Sequence, residues 1–444
     1  MLRCARLAAA IPWLGCVIAC GSGGSGDPGG SAGAAQGGAG TGNTAGSGGS
    51  AGSLGASSAS GGTNANAGSA GAPGGAGKSG AAGNGGSGGG SPVVIGDCDG
   101  LGASGTWEKI NPPDVKNTQA LVLDPFTVGT LWLGASPRGT LGPGQGGVHQ
   151  STDCGATFTH VNTGTHGADV DNASIWSLAV DPVVKNVIYV IGAYGPLGLW
   201  KSTNGGVDWQ QLMTKGSEFE TTVPYNFVGS VSMDPNDHLH LVVGTHSDCT
   251  GDYAPSCGAE TTDGGSSWTL FKTSFMPGWA EQTGPYVIDA TTWVYATLFD
   301  GLWLTTDRGG SWSDITPADV GGATGGEYTH RPIWQGADGT YYLPSTSKGG
   351  LMKSADGKTW SLITGSPSGS YQLGFAIAGG HLYMGDRNGR SYAEASESDT
   401  TSWSDLPDSP ADTNEGAVFM EYDDAHHLLY SSNFEGGLWR MVTP

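Results

Sequence analysis

Two octapeptides of nearly the same sequence carry the residues of this chain that are best suited to chemistry. TTDGGSSW occupies residues 261–268, and TTDRGGSW occupies residues 305–312. In each copy an Asp follows two hydroxyl residues and is followed by Gly and a closing Trp. Asp, Gly and hydroxyl side chains at this spacing would suit a metal-binding loop, a catalytic loop or a tight turn.

The octapeptide recurs along the chain in a constant setting. Further copies are STDCGATF at 151–158, STNGGVDW at 202–209, SADGKTW at 354–360 and SESDTTSW at 396–403. Their spacing of about 40–60 residues is the period of a four-stranded propeller blade. Before each copy stand three segments rich in β-branched and aromatic residues, and one such segment follows it. This order predicts strands throughout, with no convincing amphipathic helix.

Counting these units predicts seven blades. Six complete units run from residues 117–406, and a seventh begins at Glu415 but ends without an octapeptide. The isolated segment 105–110 supplies the missing strand, because its Trp107 stands where every fourth strand has its aromatic residue. We therefore predict an all-β chain: a single seven-bladed β-propeller with four-stranded blades, closed by the N-terminal strand that completes the last blade.

The octapeptide resembles the Asp box, or bacterial neuraminidase repeat, of a propeller superfamily that includes sialidases, xyloglucanases, sortilin-type receptors and photosystem II assembly factors. In that superfamily the box is the turn between the third and fourth strands. The resemblance implies a structural role, in which a short side chain accepts backbone N–H groups and Gly supplies a positive φ. Each box offers one carboxylate, which disfavours a metal site. The box positions are Asp153, Asn204, Asp263, Asp307 and Asp356.

The first 92 residues are predicted to export and tether the protein. Arg3 and Arg6 precede an apolar stretch that is too short to span a bilayer, so residues 1–19 are typical of a signal peptide. Val-Ile-Ala-Cys at 17–20 resembles the bacterial lipobox, which predicts that Cys20 is lipidated; simple cleavage of the leader is the alternative. Residues 20–92, rich in Gly, Ser and Ala, predict a disordered linker to a propeller at 93–444.

The charge of the chain limits its partners. It has 40 acidic and 18 basic residues and a formal net charge of −22. This balance disfavours binding to nucleic acid or adsorption to an anionic lipid surface. We expect an exported, monomeric lipoprotein at the outer membrane or surface of a bacterium, attached only through its lipid anchor, with no cofactor and no metal.

Four cysteines beyond Cys20 allow three disulfide connectivities. Cys98 enters on the same face as Cys154, which lies in the adjacent box. Cys249 and Cys257 share one long loop of blade 3 on the opposite face. The topology therefore predicts the pairs Cys98–Cys154 and Cys249–Cys257.

The long loops predict a binding site on the face away from the boxes. In this topology the connections from second to third strand, and from fourth strand to the next blade, share that face. Loops longer than the minimum are where binding is usually built. The channel mouth should hold amide, charged and aromatic side chains that suit sugar recognition, although a polar mouth that only holds water is the alternative. They are Asn172, Asn226, Trp279, Gln282, His330, Arg331, Tyr371, Asp386 and Arg387.

Three glycan-cleaving activities can be weighed from the residues. A sialidase would need an Arg-Ile-Pro motif, and residues 331–333 are only a reordered Arg-Pro-Ile. Asp-box xyloglucanases join two propellers around a cleft, whereas this chain predicts one. A polyuronate lyase could use His330, Arg331 and Tyr371, but the acidic surface disfavours a polyanionic substrate.

A carboxylate pair would be supplied by Glu281 and Glu415. They project from opposite sides of the predicted mouth, which favours the wide separation of an inverting glycosidase. We therefore expect a surface-tethered propeller that binds a glycan or polysaccharide at the loop-rich mouth and, if it is an enzyme, is a glycoside hydrolase-like one. The alternative is a non-catalytic, protein-binding propeller that resembles assembly-factor or sortilin-type domains.

Overall fold

The fold is taken from a computed structural model of the chain. The residues it describes are 94–96, 98–115, 117–137, 146–196, 198–213, 221–223, 228–246, 248–273, 275, 282–297, 301–320, 333–345, 350–367, 374–385, 391–410 and 417–444. Within these ranges no helix has the length and apolar character needed to cross a bilayer.

The described strands are numbered β1–β30 along the chain, and all of them except β1 and β4 form seven four-stranded antiparallel sheets, the blades of a propeller. Blade 1 contains β3 (Thr118–Leu123), β5 (Leu131–Ala135), β6 (Gly147–Ser151) and β7 (Thr159–His160). Blade 2 contains β8 (Ser174–Val180), β9 (Ile188–Ala193), β10 (Gly198–Ser202) and β11 (Gln210–Gln211). Blade 3 contains β12 (Val228–Asp234), β13 (Asp237–Thr245), β14 (Ser256–Thr261) and β15 (Thr269–Thr273).

The remaining blades repeat the same meander. Blade 4 contains β16 (Gln282–Val287), β17 (Trp293–Thr297), β18 (Gly301–Thr305) and β19 (Ser313–Asp314). Blade 5 contains β20 (Trp334–Gln335), β21 (Tyr341–Pro344), β22 (Leu351–Ser354) and β23 (Ser361–Leu362). Blade 6 contains β24 (Phe375–Ala378), β25 (His381–Gly385), β26 (Tyr392–Ser396) and β27 (Asp399–Asp405). Blade 7 contains β28 (Ala417–Asp423), β29 (Leu428–Asn433), β30 (Gly437–Val442) and β2 (Trp107–Lys109).

Both ends of the chain build blade 7, as the sequence predicts. In the β2–β30 ladder Trp107 lies opposite Met441, and Lys109 lies opposite Trp439. Arg440 Nε also donates to Glu108 Oε2 at 2.9 Å. The prediction of seven blades with an N-terminal closing strand is therefore confirmed.

The core lies within and between the blades. Every residue of the innermost strands β8, β12 and β28 is buried, because neighbouring blades cover both faces of each sheet. Their apolar, β-branched sequences suit strands buried on both sides. Adjacent blades share hydrophobic clusters; one joins Tyr286 and Val294 of blade 4 to Leu343 and Met352 of blade 5.

The two predicted disulfides are confirmed: Cys98 is bonded to Cys154, and Cys249 to Cys257. Three small elements add to the predicted fold, one of them a three-residue 3₁₀ helix at Gly251–Tyr253. A short parallel pair joins β1 (Val94–Ile95) to β4 (Thr127–Val128) next to the first disulfide. A five-residue helix, α1 (Gly167–Asp171), lies in the connection from blade 1 to blade 2.

Candidate functional site

The octapeptides form turns between the third and fourth strands. The acidic side chain of a turn forms its hydrogen bonds with groups of that same turn. In blade 3, Asp263 Oδ1 accepts the backbone N–H of Ser267 at 2.9 Å and the hydroxyl of Thr261 at 2.7 Å. Asp263 Oδ2 accepts the Ser267 hydroxyl at 2.6 Å. These hydrogen bonds, that of the Ser267 side chain foremost, lower the pKa of Asp263 to about 2. The carboxylate thus has a structural role, in which it stabilises the turn.

The other turns repeat this geometry with small changes. The Oδ1 atoms of Asp153, Asp307 and Asn204 each accept the backbone N–H four residues later at 2.8–2.9 Å. Asp356, in a turn one residue shorter, accepts the N–H of Thr359 at 2.7 Å. In blade 6 a serine, Ser398, takes the place of the acid, and its hydroxyl lies 2.8 Å from that of Ser396.

The octapeptide turns share a face with the turns between first and second strands. Gly264 N donates to Leu239 O near the start of β13, and Gly205 N donates to Asn186 O in the β8–β9 turn, both at 2.9 Å. In an antiparallel meander the second-to-third and fourth-to-first connections must then lie at the other end of the strands. We call that end the loop-bearing face.

Two of the predicted mouth residues are described. Asn172 is exposed and ends α1; its Nδ2 donates to Ala168 O at 2.7 Å, so part of its amide caps the helix. Gln282 begins β16 and pairs with Thr297. The predictions that lie outside the described residues are Glu281, Glu415, Asn226, Trp279, His330, Arg331, Tyr371, Asp386 and Arg387.

The inner strands are irregular at their loop-bearing ends. Register shifts occur near the start of the innermost strand in blades 1, 2, 3, 4 and 7. In blade 2 the shift lies between Ile175 and Ser177, and in blade 7 it lies between Ala417 and Phe419. Bulges are common beside binding sites because they redirect side chains and end regular pairing. The mouth is therefore lined by strand ends whose side chains depart from simple alternation.

An aromatic cluster lies at the loop-bearing ends of blades 2 and 3. Trp176, within the bulge of β8, has its ring centroid 5.2 Å from that of Tyr194 and 4.9 Å from that of His246. Trp176 is 2% exposed, whereas Tyr194 is 42% exposed. Burial lowers the pKa of His246 to about 4, so this imidazole is neutral at neutral pH. The cluster presents an exposed phenol backed by a rigid indole, which suits contact with a sugar face.

A buried polar network supports the loop between blades 1 and 2. Asp171 Oδ1 lies 2.7 Å from His160 Nε2 and accepts Asn162 Nδ2 at 2.9 Å. Burial raises the pKa of Asp171, although its bonds to His160 and Asn162 oppose the shift. The His149 ring lies 5.2 Å from that of His160; burial foremost, and then the nearby His160, lower the pKa of His149 to about 4. This network fixes α1 against β6 and β7.

The aromatic cluster and the polar network are absent from the sequence predictions for physical reasons. Trp176 lies in an apolar strand segment, SIWSLAV, where the bulge has no sequence signature. His246 and Asp171 occur in connections that have no periodicity. The one available signal was that both connections exceed the minimum loop length.

No protein-family model matches the chain. Among curated proteins, a xyloglucanase of Hypocrea jecorina is 27% identical over 250 residues, which cover 55% of this chain and 24% of the relative. A probable oligoxyloglucan-reducing end-specific xyloglucanase of Neosartorya fischeri is 26% identical over 253 residues, covering 50% of this chain and 29% of the relative. The chain thus spans about a quarter of the length of each of these relatives.

Solved structures share the architecture. YCF48 bound to D1 peptide aligns with a TM-score of 0.51 at 14% identity, covering 80% of this chain and 100% of that one. The GH74 xyloglucanase of Xanthomonas campestris aligns with a TM-score of 0.50 at 16% identity, covering 76% of this chain and 53% of that one. The chain shares the β-propeller fold with these structures. At these identities the structural likeness establishes the propeller fold alone.

Proposed function

We propose that this propeller binds a glycan at its loop-bearing face and acts as a glycoside hydrolase-like protein. The observation that carries the proposal is the 27% identity to a xyloglucanase over 250 residues. Xyloglucan is therefore the first ligand to test.

The described part of the face is consistent with sugar recognition. Sugars are bound by aromatic faces together with a few fixed polar groups. Tyr194 supplies an exposed aromatic ring, and the polar network around Asp171 holds α1 beside the mouth. The acidic net charge of −22 favours a neutral polysaccharide over a polyanionic one.

Hydrolysis is assigned to Glu281 and Glu415, acting as the acid and base of an inverting mechanism. In such a mechanism one carboxylic acid protonates the leaving oxygen while the other carboxylate activates a water on the opposite face of the sugar. The separation of their carboxyl groups should then be about 6.5–9.5 Å.

Export and attachment complete the proposal. The leader and the Val-Ile-Ala-Cys sequence at 17–20 support a lipoprotein anchored through Cys20. The Gly-rich segment that follows would let the propeller reach polysaccharide away from the membrane. Mass spectrometry of the membrane-associated protein should find a diacylglyceryl group on Cys20, and a Cys20→Ser variant should lose membrane association.

The function is tested by screening the purified protein against an array of plant and bacterial polysaccharides, followed by product analysis on every glycan that binds. We expect xyloglucan to bind and, if hydrolysis occurs, to release oligosaccharides with inverted anomeric configuration. Glu281→Gln and Glu415→Gln should abolish turnover but retain binding.

Asp314→Asn, an exposed acid in the outermost strand of blade 4, serves as the matched control and should leave both properties unchanged. Binding of xyloglucan without turnover would leave a carbohydrate-binding propeller and remove the two glutamates from the proposal. Failure to bind any glycan, with capture of a peptide ligand instead, would replace the proposal with the protein-binding alternative.

A further inference from the structure

A cleft of about 710 Å³ lies on the outer side of blade 2, between the α1 connection and strands β10 and β11. Its lining includes two indoles (Trp200 and Trp209), two amides (Gln210 and Gln211) and the pair His166 and Asp169. The volume is within the range of about 300–1,000 Å³ that is typical of small-ligand sites.

One wall of the cleft is the connection that precedes α1, and hydrogen bonds hold it in place. Thr165 N donates to Asp208 Oδ1 at 2.6 Å, and Trp209 N donates to Thr165 O at 2.9 Å. These bonds join the connection from blade 1 to the octapeptide turn of blade 2. The wall is therefore fixed before any ligand arrives, which reduces the entropy lost on binding.

His166 is held over the cleft by an unusual backbone conformation. Its φ is 57° and its ψ is 11°, the left-handed region that costs a non-glycine residue free energy. In this conformation the imidazole Nδ1 lies 2.8 Å from Asp169 Oδ2, and the ring lies 5.8 Å from that of Trp200. The pair is about half-exposed, so it can meet a ligand without rearrangement.

The floor of the cleft contains buried donors. Trp200 and Trp209 are each 3% exposed, and their indole Nε1 atoms have no hydrogen-bond partner among the described residues. A buried N–H without an acceptor is costly. Other buried indoles of the described chain share this property, so the cleft is distinguished by the combination of indoles, amides and a strained histidine.

The chemistry of the lining selects a neutral, hydroxyl-rich ligand. Among the described residues the cleft lining contains no Lys or Arg, and the one carboxylate among them, on Asp169, would repel an anion. Amide and carboxylate groups both bond to the hydroxyls of a sugar. We propose that this cleft is a binding site for a neutral oligosaccharide, separate from the channel mouth.

The cleft and the mouth lie at opposite ends of α1. His166 caps the start of the helix, and Asn172, a predicted mouth residue, ends it. A five-residue helix is about 8 Å long, so the two sites are close enough to bind one polysaccharide chain together. The inference rests on the proposed function only in the choice of sugar as a probe.

The test is isothermal titration of the full-length protein with xyloglucan oligosaccharides. Gln210→Ala and Asp169→Asn each remove one hydrogen-bonding group from the cleft and should weaken binding about 2- to 10-fold. Gln335→Ala, which changes an exposed amide in blade 5, is the matched control and should bind like the unmodified protein. Because Gln210 is exposed, its variant should keep the thermal midpoint of the parent.

Glu281→Gln, tested in parallel, separates the cleft from the mouth. Weakened binding in both cleft variants, with the control unchanged, supports the site whether or not Glu281→Gln also affects binding. If the oligosaccharide binds and the cleft variants match the control, the cleft is not a sugar site while the proposed function stands. If no oligosaccharide binds to the unmodified protein, the cleft proposal and the glycan function both fail.

Discussion

Trp107 lies opposite Met441 in the outer strand pair of blade 7, so the two ends of the propeller are joined by one sheet. Trp107 is 8% exposed, and its ring centroid lies 4.5 Å from that of Tyr392 in blade 6. The closing strand therefore contributes backbone pairing and packs against the neighbouring blade.

Removal of the Trp107 side chain should destabilise the whole ring. We expect Trp107→Ala to lower the free energy of unfolding by about 3–5 kcal/mol, the usual cost of deleting a large buried aromatic side chain. Chemical denaturation measures the effect. Lys109→Ala, which changes an exposed residue of the same strand, is the control and should cost less than about 1 kcal/mol. Equal losses for the two variants would show that Trp107 does not close the ring.

The acid of the octapeptide turns should be replaceable by an amide but not by a methyl group. Asp263→Ala removes the acceptor for the Ser267 N–H and should lower stability by about 1–2 kcal/mol. Asp263→Asn should cost little, because Asn204 occupies the equivalent position in blade 2 and its Oδ1 accepts the Asp208 N–H at 2.9 Å. Thermal unfolding of both variants tests this; an Asn variant as unstable as the Ala variant would refute it.

Acidification should destabilise the fold through two buried histidines. The pKa values of His149 and His246 are lowered to about 4, below the ordinary value of 6.5. Between about pH 6.5 and pH 4 these histidines are protonated in the unfolded chain but not in the folded chain. The free energy of unfolding therefore falls as the pH drops through this range. The loss should be roughly 2–3 kcal/mol for each histidine. Urea titrations at several pH values should show this slope, and it should flatten in a His149→Gln, His246→Gln variant.

His240 should produce the opposite dependence at alkaline pH. Its Nδ1 lies 2.8 Å from Asp234 Oδ2 and its Nε2 lies 2.8 Å from Glu260 Oε1, which also accepts from Arg308 of blade 4. Burial opposes protonation, but the two carboxylates outweigh it and raise the pKa of His240 to about 9.

The stabilisation from His240 is complete below about pH 6.5 and is lost as the pH rises through 9, because the folded state then releases its extra proton. The loss should be roughly 2–3 kcal/mol. Unfolding measured between pH 6 and 10 should show this decline in the unmodified protein. A His240→Gln variant should be less stable at pH 6 and should lack the decline; an identical decline in both would assign it to another group.

Much of the fold is predictable from sequence because it repeats. The octapeptide marks every third-to-fourth strand turn in blades 1–5, and its degraded copy in blade 6 keeps Trp403. Trp107 and the segment around Trp439 could be matched because the C-terminal unit has three strands and lacks a fourth, whereas the N-terminal segment is a single strand without a blade. The disulfides followed from that topology, since Cys98 and Cys154 enter on one face.

The mouth is less predictable because its geometry is set by tertiary contacts. Register shifts such as the one at Trp176 depend on how neighbouring blades pack, and they leave no periodic signal in the sequence. The helix α1 has the sequence GADVD, too short and too Gly- and Asp-rich to be recognised by helical periodicity. Asn172 was predicted to lie at the mouth from its position along the chain, whereas its role at the end of α1 emerged only from the structure.

Hydrogen–deuterium exchange, with and without xyloglucan oligosaccharide, tests most directly whether the loop-bearing face binds a glycan. We expect the sugar to slow exchange in the connections that surround α1 and in the segments that contain Tyr194 and His246. Exchange in the octapeptide turns of blades 1, 3, 4 and 5, which do not adjoin the cleft, should be unchanged. Protection confined to those turns, or no protection anywhere at saturating sugar, would contradict the account.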